Sequence, residues 1–320
     1  MNYSKKDLGF ILYNNRSTNM ILHHIPKHIK PLELIEIEKQ FDWCKSLFED
    51  LENFVEVDLS LISPKANDII IKPNEIESLT ETIKSVKGKF SDVEKEFLSK
   101  RKIGEDIINE WNLFGLSSIK NPDDLIKIGA TSHPILKPLL EDGIEGGGIC
   151  QPLFKEGKFV NCSIRRISDI GKLKYTLAVP DVPVWGLDDI NGEEVWICEG
   201  LFDMITLRKM GVKAVSPSSA MWSGIQLYQL LENNPSKIII MVDNDRVGLK
   251  TGLILTKFFN LRQIPVVTVH SIKCKDAAEH FLENELTFHD IKPIRITRDM
   301  IKEKNDDSFN FLRYLQTRKF

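Results

Sequence analysis

Four carboxylates in this sequence follow apolar runs in a repeated way. Glu199 comes directly after "VWIC", Asp243 and Asp245 after "IIIMV", and Asp276 shortly after "VVTVHSIKC". If each run is a strand of one open parallel sheet, all four acids reach the same rim, because loops at the carboxyl ends of such strands form the ligand crevice. Carboxylates gathered there repel one another and hold their protons unusually tightly unless a cation stands among them. A hard divalent ion such as Mg²⁺ relieves that repulsion, using one or two carboxylates and keeping positions for substrate phosphates. Taken singly, Asp276 could equally be a solvated loop residue, whereas the set of four argues against that reading.

The surrounding pattern supplies the sheet. From 194 to 285, strand-like "EVWICE" precedes a helical "LFDMITLRKM" closed by Gly211, then "VKAVS" and a helix through "GIQLYQLLENN". "KIIIMVD", a helix from Gly248 to Phe259, "PVVTVH" and a helix near "DAAEHFLENE" complete the run. Such alternation predicts an α/β fold with a parallel sheet wrapped by helices. Further upstream, Ser91 with Glu94 three residues later reads as a capping box, and two short helices with a break at Gly104 follow. "QPLF", "KEGK" and "FVNCSIRRI" read as a β-hairpin turning at Gly157, with Arg165, Arg166, Lys172 and Lys174 along a basic edge. Residues 1–88 carry a helical pattern at "PLELIEIEKQFDWCKSLFEDLENF" and a strand-like "NDIIIKP" ended by Pro73, but no chemical signature.

Composition narrows the class further. The formal charge of −3 sets 43 Lys and Arg against 46 Asp and Glu, so any affinity for nucleic acid rests on local basic patches. Five cysteines at wide spacings, with no CxxC pair, argue for reduced thiols in an intracellular, cytoplasmic protein and against a zinc site. No apolar run approaches the roughly 18 residues of a membrane span. GxxxxGK[ST] is absent, so no helicase motor is expected.

"EGLFD" at 199–203 followed by "VDNDRVGLK" at 242–250 resembles the toprim domain of primases, topoisomerases and some nucleases. "DNDRVGLKT" is similar to the primase form of that motif, "KCKDAAEHF" to the "KDANE" element of bacteriophage primase-helicase proteins, and "SIRRI" with "LKY" to the core of DnaG-type primases. The resemblance implies a toprim domain preceded by a mixed α+β primase-core subdomain. Its boundaries would be an N-terminal domain at 1–88, a primase-core subdomain at 89–192, the toprim domain at 193–288 and a tail at 289–320 that could dock a partner.

The resemblance also implies roles. Glu199, Asp243 and Asp245 would be catalytic and, with Asp276, hold Mg²⁺ or Mn²⁺; Glu279 could join them. Arg165, Arg166, Lys172, Lys174, Asp203, Arg246, Lys250 and Lys275 would contact nucleotide or template. The implied activity is RNA primer synthesis on single-stranded DNA from ribonucleoside triphosphates, in a phage-encoded protein acting beside a replicative helicase. The zinc module usual in such primases would come from a separate subunit. A toprim nuclease would use the same acids on water, and a non-catalytic subunit binding single strands or a helicase would need none of them. Tyr175 reads as structural rather than as a topoisomerase nucleophile, and the serines of "SPSSAMW" have no neighbouring base. Trp185, Trp196 and Trp222 read as core residues.

Overall fold

The computed structural model describes residues 31–46, 73–121, 124–125, 128, 147–167, 175–177, 184–217 and 222–303. These fall into two compact units, one within 73–177 and the other comprising 31–46 and 184–303. The first described element, α1 (Pro31–Ser46), belongs to the second unit.

The first unit opens with α2 (Pro73–Val86), so Pro73 begins a helix, where a missing N–H costs nothing. The rest of "NDIIIKP" lies outside the described residues. Next come α3 (Asp92–Lys100), α4 (Glu105–Glu110) and β1 (Phe114–Gly115). The sheet is completed by β2 (Gly148–Lys155), β3 (Lys158–Arg166) and β4 (Tyr175–Leu177), in the order β1-β2-β3-β4 and antiparallel throughout. The β2–β3 turn places both Glu156 and Gly157 at positive φ, as a two-residue hairpin loop matched to strand twist requires. One face of the hairpin, with Cys150, Cys162 and Ile164, packs against Leu79, Ile83 and Val86 of α2.

Glu94 ties this unit together. It is fully buried and completes the capping box with Ser91. Its carboxylate accepts from Ser91 N–H (2.8 Å), Ser117 N–H (3.1 Å), Ser117 hydroxyl (2.6 Å) and Gly148 N–H (3.1 Å). One side chain therefore fixes the start of α3, the turn after β1 and the first residue of β2.

The second unit contains β5 (Glu194–Ile197), α5 (Leu201–Lys209), β6 (Ala214–Val215), α6 (Gly224–Glu232) and β7 (Lys237–Met241). It continues with α7 (Arg246–Leu261), β8 (Val266–Ser271), β9 (Ile291–Pro293) and α8 (Arg298–Glu303). The sheet order is β6-β5-β7-β8-β9, with β9 antiparallel and the other four strands parallel. Val195–Ile197 and Ile238–Met241 are buried, as expected for strands covered on both faces. Ile37, Phe41 and Cys44 of α1 lie one helical turn apart and buried, and Phe41 meets Phe258 of α7 edge-on at 6.1 Å. This contact joins α1 to α7 of the second unit, although α1 lies within residues 1–88. Among the described residues no helix is long and apolar enough to cross a membrane.

Replacing Glu94 with Ala leaves those four donors without their acceptor. The expected cost is about 3 kcal/mol or more, read as a lower midpoint in thermal or urea unfolding; an unchanged midpoint would mean that the carboxylate is not holding the unit together.

Candidate active site

The parallel register aligns the ends of the two central strands. Ile197 of β5 pairs with Ile240 of β7, and Met241 of β7 pairs with Val269 of β8. Glu199 therefore emerges beside Asp243 and Asp245, while the turn carrying Asp276 follows β8. The structure brings these four acids into mutual electrostatic range.

Each acid is placed by local backbone chemistry. Asp245 is the N-cap of α7, its Oδ1 accepting from Gly248 N–H at 2.9 Å. Gly248 has to be small: an added Cβ would stand 2.5 Å from the Asp243 carbonyl oxygen and 2.8 Å from its Cβ. The spacing from Asp243 to Gly248 thus records a close approach of helix to strand end. Asn244, between the two aspartates, turns inward. Its N–H donates to the Lys275 carbonyl at 2.7 Å, and its amide donates to the Ser271 and Cys274 carbonyls at 2.9 and 3.3 Å. Asp276 caps the following helical turn through Glu279 N–H at 2.8 Å, and Glu279 accepts from Lys275 N–H at 2.7 Å.

Deeper support comes from Ser271. Its hydroxyl oxygen accepts from Lys273 N–H and Cys274 N–H, so its proton is directed to His280 Nδ1, 2.8 Å away. His280 Nε2 then donates to the Thr287 carbonyl at 3.0 Å.

The remaining sequence candidates fall in different places. Asp203 is buried on α5 and accepts from Ala278 N–H at 2.9 Å, which makes it a positioning residue for the Asp276 turn. Arg246 is half-buried at the start of α7, whereas Lys250 is buried one turn further on. In the first unit Arg165 is half-buried and Arg166 buried. Lys172 and Lys174 lie outside the described residues. Trp185, Trp196 and Trp222 are all buried; Trp222 lines a small cleft with Cys198, Glu199, Asp243 and Thr251.

The electrostatics follow from crowding. Burial, reinforced by Asp203, Glu199, Asp276 and Asp245, raises the pKa of Asp243 to about 10. Burial and then Asp245 raise that of Glu199 to about 7. Lys275 provides the counter-charge: its Nζ lies 3.0 Å from Asp245 Oδ2 and 3.9 Å from Asp243 Oδ2. Burial works against the charged ammonium, but Asp245, Asp243 and Glu199 outweigh it and raise its pKa.

Among the described residues, no three acidic, imidazole or thiol groups stand close enough together to hold a metal ion as placed. The donor chemistry nevertheless fits a hard divalent cation, since every candidate ligand is a carboxylate and an ammonium already sits between two of them.

Residues 196–281, which carry the glutamate after the first strand of the parallel sheet, the two aspartates after the third and the glycine-tight helix start, match the family model described as Toprim-like. The fold is also similar to that of solved primase structures. A DNA primase domain from Pseudomonas aeruginosa superimposes with a TM-score of 0.51 at 16% identity, covering 68% of this chain and 79% of that one. A structure of the DnaG catalytic core gives 0.49 at 15% identity, with the same coverages of 68% and 79%. The RNA polymerase domain of Mycobacterium tuberculosis primase DnaG, with a double-stranded DNA oligomer bearing a 6-nucleotide overhang, gives 0.49 at 15%, covering 73% and 80%. No curated protein matches the sequence.

The raised pKa values set the sign of a pH effect. A carboxyl that keeps its proton more tightly when folded destabilises the fold as pH rises past its unfolded value of about 4. That loss continues until the folded value, about 7 for Glu199 and about 10 for Asp243, has been passed. In chelator, wild type should therefore lose thermal stability between pH 5 and 9 more steeply than Asp243→Asn, with the variant melting higher by about 3 °C or more at pH 8. Added Mg²⁺ should raise the wild-type midpoint and leave that of the variant nearly unmoved. Gly248→Ala should cost about 1–3 kcal/mol through the clash with Asp243 and abolish the Mg²⁺ response; a variant as stable and as metal-responsive as wild type would show that the approach is not tight.

Proposed function

We infer that the chain is a DNA primase, a template-directed nucleotidyltransferase that makes short RNA primers on single-stranded DNA. The observation that carries this reading is the presence, in one chain, of a carboxylate-lined toprim rim and an antiparallel hairpin unit, within a fold shared with a DNA primase domain. A toprim nuclease would need the acids and has no chemical use for the hairpin unit.

In primer synthesis the 3′-hydroxyl oxygen of the growing strand forms a bond to the α-phosphorus of a ribonucleoside triphosphate. The bond from that phosphorus to the bridging oxygen breaks, pyrophosphate leaves with the electron pair, and the hydroxyl proton passes to a carboxylate or to water. Glu199, Asp243 and Asp245 would hold Mg²⁺ or Mn²⁺, with Asp276 beside them, and the bound ion would supply positive charge where the phosphate oxygens become more negative. Asn244 and Gly248 keep the two aspartates in place without touching substrate. Arg246 and Lys275 are the cations on the rim that can meet phosphate oxygens, and Arg165 extends the same role to the hairpin unit. Lys172 and Lys174 join them on the strength of sequence alone. A replicative helicase and a separate zinc-bearing subunit are the proposed partners, in the cytoplasm of a phage-infected host.

The reading is tested by template-dependent RNA synthesis from ribonucleotides on single-stranded DNA with Mg²⁺ or Mn²⁺, with and without the helicase. Asp243→Ala/Asp245→Ala should lower the rate by about 10³-fold or more. Acid-dependent degradation of DNA without any RNA product would replace this reading with a nuclease, and silence in both assays with retained single-strand binding would replace it with a non-catalytic subunit.

A further inference from the structure

Lys275 places its ammonium against both aspartates of the rim. Its Nζ stands 3.0 Å from Asp245 Oδ2 and 3.9 Å from Asp243 Oδ2. Its backbone is held on both sides, the N–H by Glu279 Oε2 and the carbonyl by Asn244 N–H, each at 2.7 Å. Asn244 lies between the same two aspartates, so the loop that carries the candidate ligands also anchors the lysine whose ammonium faces them. The side chain nonetheless remains 53% exposed, leaving its ammonium a way out into water.

We propose that Asp243 and Asp245 exchange the Lys275 ammonium for the divalent cation, so that Lys275 is the resident counter-charge of the unloaded rim and is expelled toward solvent on loading. This rests on the reading of these acids as cation ligands. An ammonium carries one charge and approaches carboxylate oxygens at hydrogen-bond distance, near 3 Å. Mg²⁺ carries two and approaches to about 2.0–2.1 Å. Coulomb attraction grows with charge and falls with separation, so the divalent ion is favoured at these oxygens. A partly exposed ion pair is weakly held, and two cations that need the same oxygen edges repel each other. Loading the rim therefore removes the lysine from its acids, while its pinned backbone keeps it at the site.

The test uses the full chain and amine acetylation mapped by mass spectrometry. Saturating Mg²⁺ should speed labelling of Lys275 by about threefold or more, on the scale expected for release from an ion pair of this exposure. Lys237 and Lys273, paired with Glu194 and Asp290, should not change. In Asp243→Asn/Asp245→Asn, Mg²⁺ should have no effect on Lys275. In parallel, calorimetry should show Lys275→Met binding Mn²⁺ up to about fivefold more tightly than wild type. If wild type binds Mn²⁺ while Lys275 labelling is unchanged or slower, or if Lys275→Met binds no more tightly, the exchange is refuted and the acids remain ligands. If wild type binds no Mn²⁺ at all, the ligand reading falls and the exchange falls with it.

Discussion

Mutual repulsion among carboxylates at the ends of parallel strands is the constraint on which the second unit depends. β5, β7 and β8 must run parallel and in register to bury their apolar faces, and that register delivers Glu199, Asp243 and Asp245 to one rim. The fold gains its core and accepts a cluster of negative charge at its edge. Polar devices nearby answer that cluster, namely the N-cap at Asp245, the ammonium of Lys275 and the amide of Asn244, whereas Asp203, which holds the Asp276 turn, adds to it.

These devices are coupled because they share backbone. Asn244 fastens the loop after β8 to the loop after β7, so the Asp276 turn cannot move independently of the two aspartates. Ser271 and His280 brace the same loop from within through a chain of hydrogen bonds whose directions are set by the amides that Ser271 accepts. Shared anchoring of this kind holds the two aspartates and the Asp276 turn in a fixed relation while their charges remain crowded.

Much of this was legible in the sequence because the relevant signals are local. Apolar runs ended by acids gave the parallel strands and their rim, and the Ser91–Glu94 spacing gave the cap of α3. The reach of Glu94 to Ser117 and Gly148 was not legible, since those contacts join residues far apart in the chain. Asn244 has no signal of its own between two charged neighbours, although an amide side chain in a turn commonly substitutes for backbone partners. The glycine after the aspartates was visible as a helix start, but only the structure gives its reason, the backbone of Asp243 pressed against it. Asp203 enters the sequence reading only as a nucleotide contact implied by the resemblance, and its hold on the Ala278 N–H, 75 residues further along the chain, is not legible there. The helix that Pro73 begins was not named in the sequence, because proline both ends strands and begins helices.

The short antiparallel strand β9 has a consequence of another kind. A parallel sheet ending at β8 would offer an open row of amides and carbonyls to any extended peptide. β9 covers that row along Val269–Ser271, and its own outer positions, Lys292 and Pro293, are exposed. Proline has no N–H to donate, and a lysine repels a second strand that carries the same charge. The β8 side of the sheet is thus closed by the chain itself, and a second extended strand meets there a residue with no amide to give and a like charge.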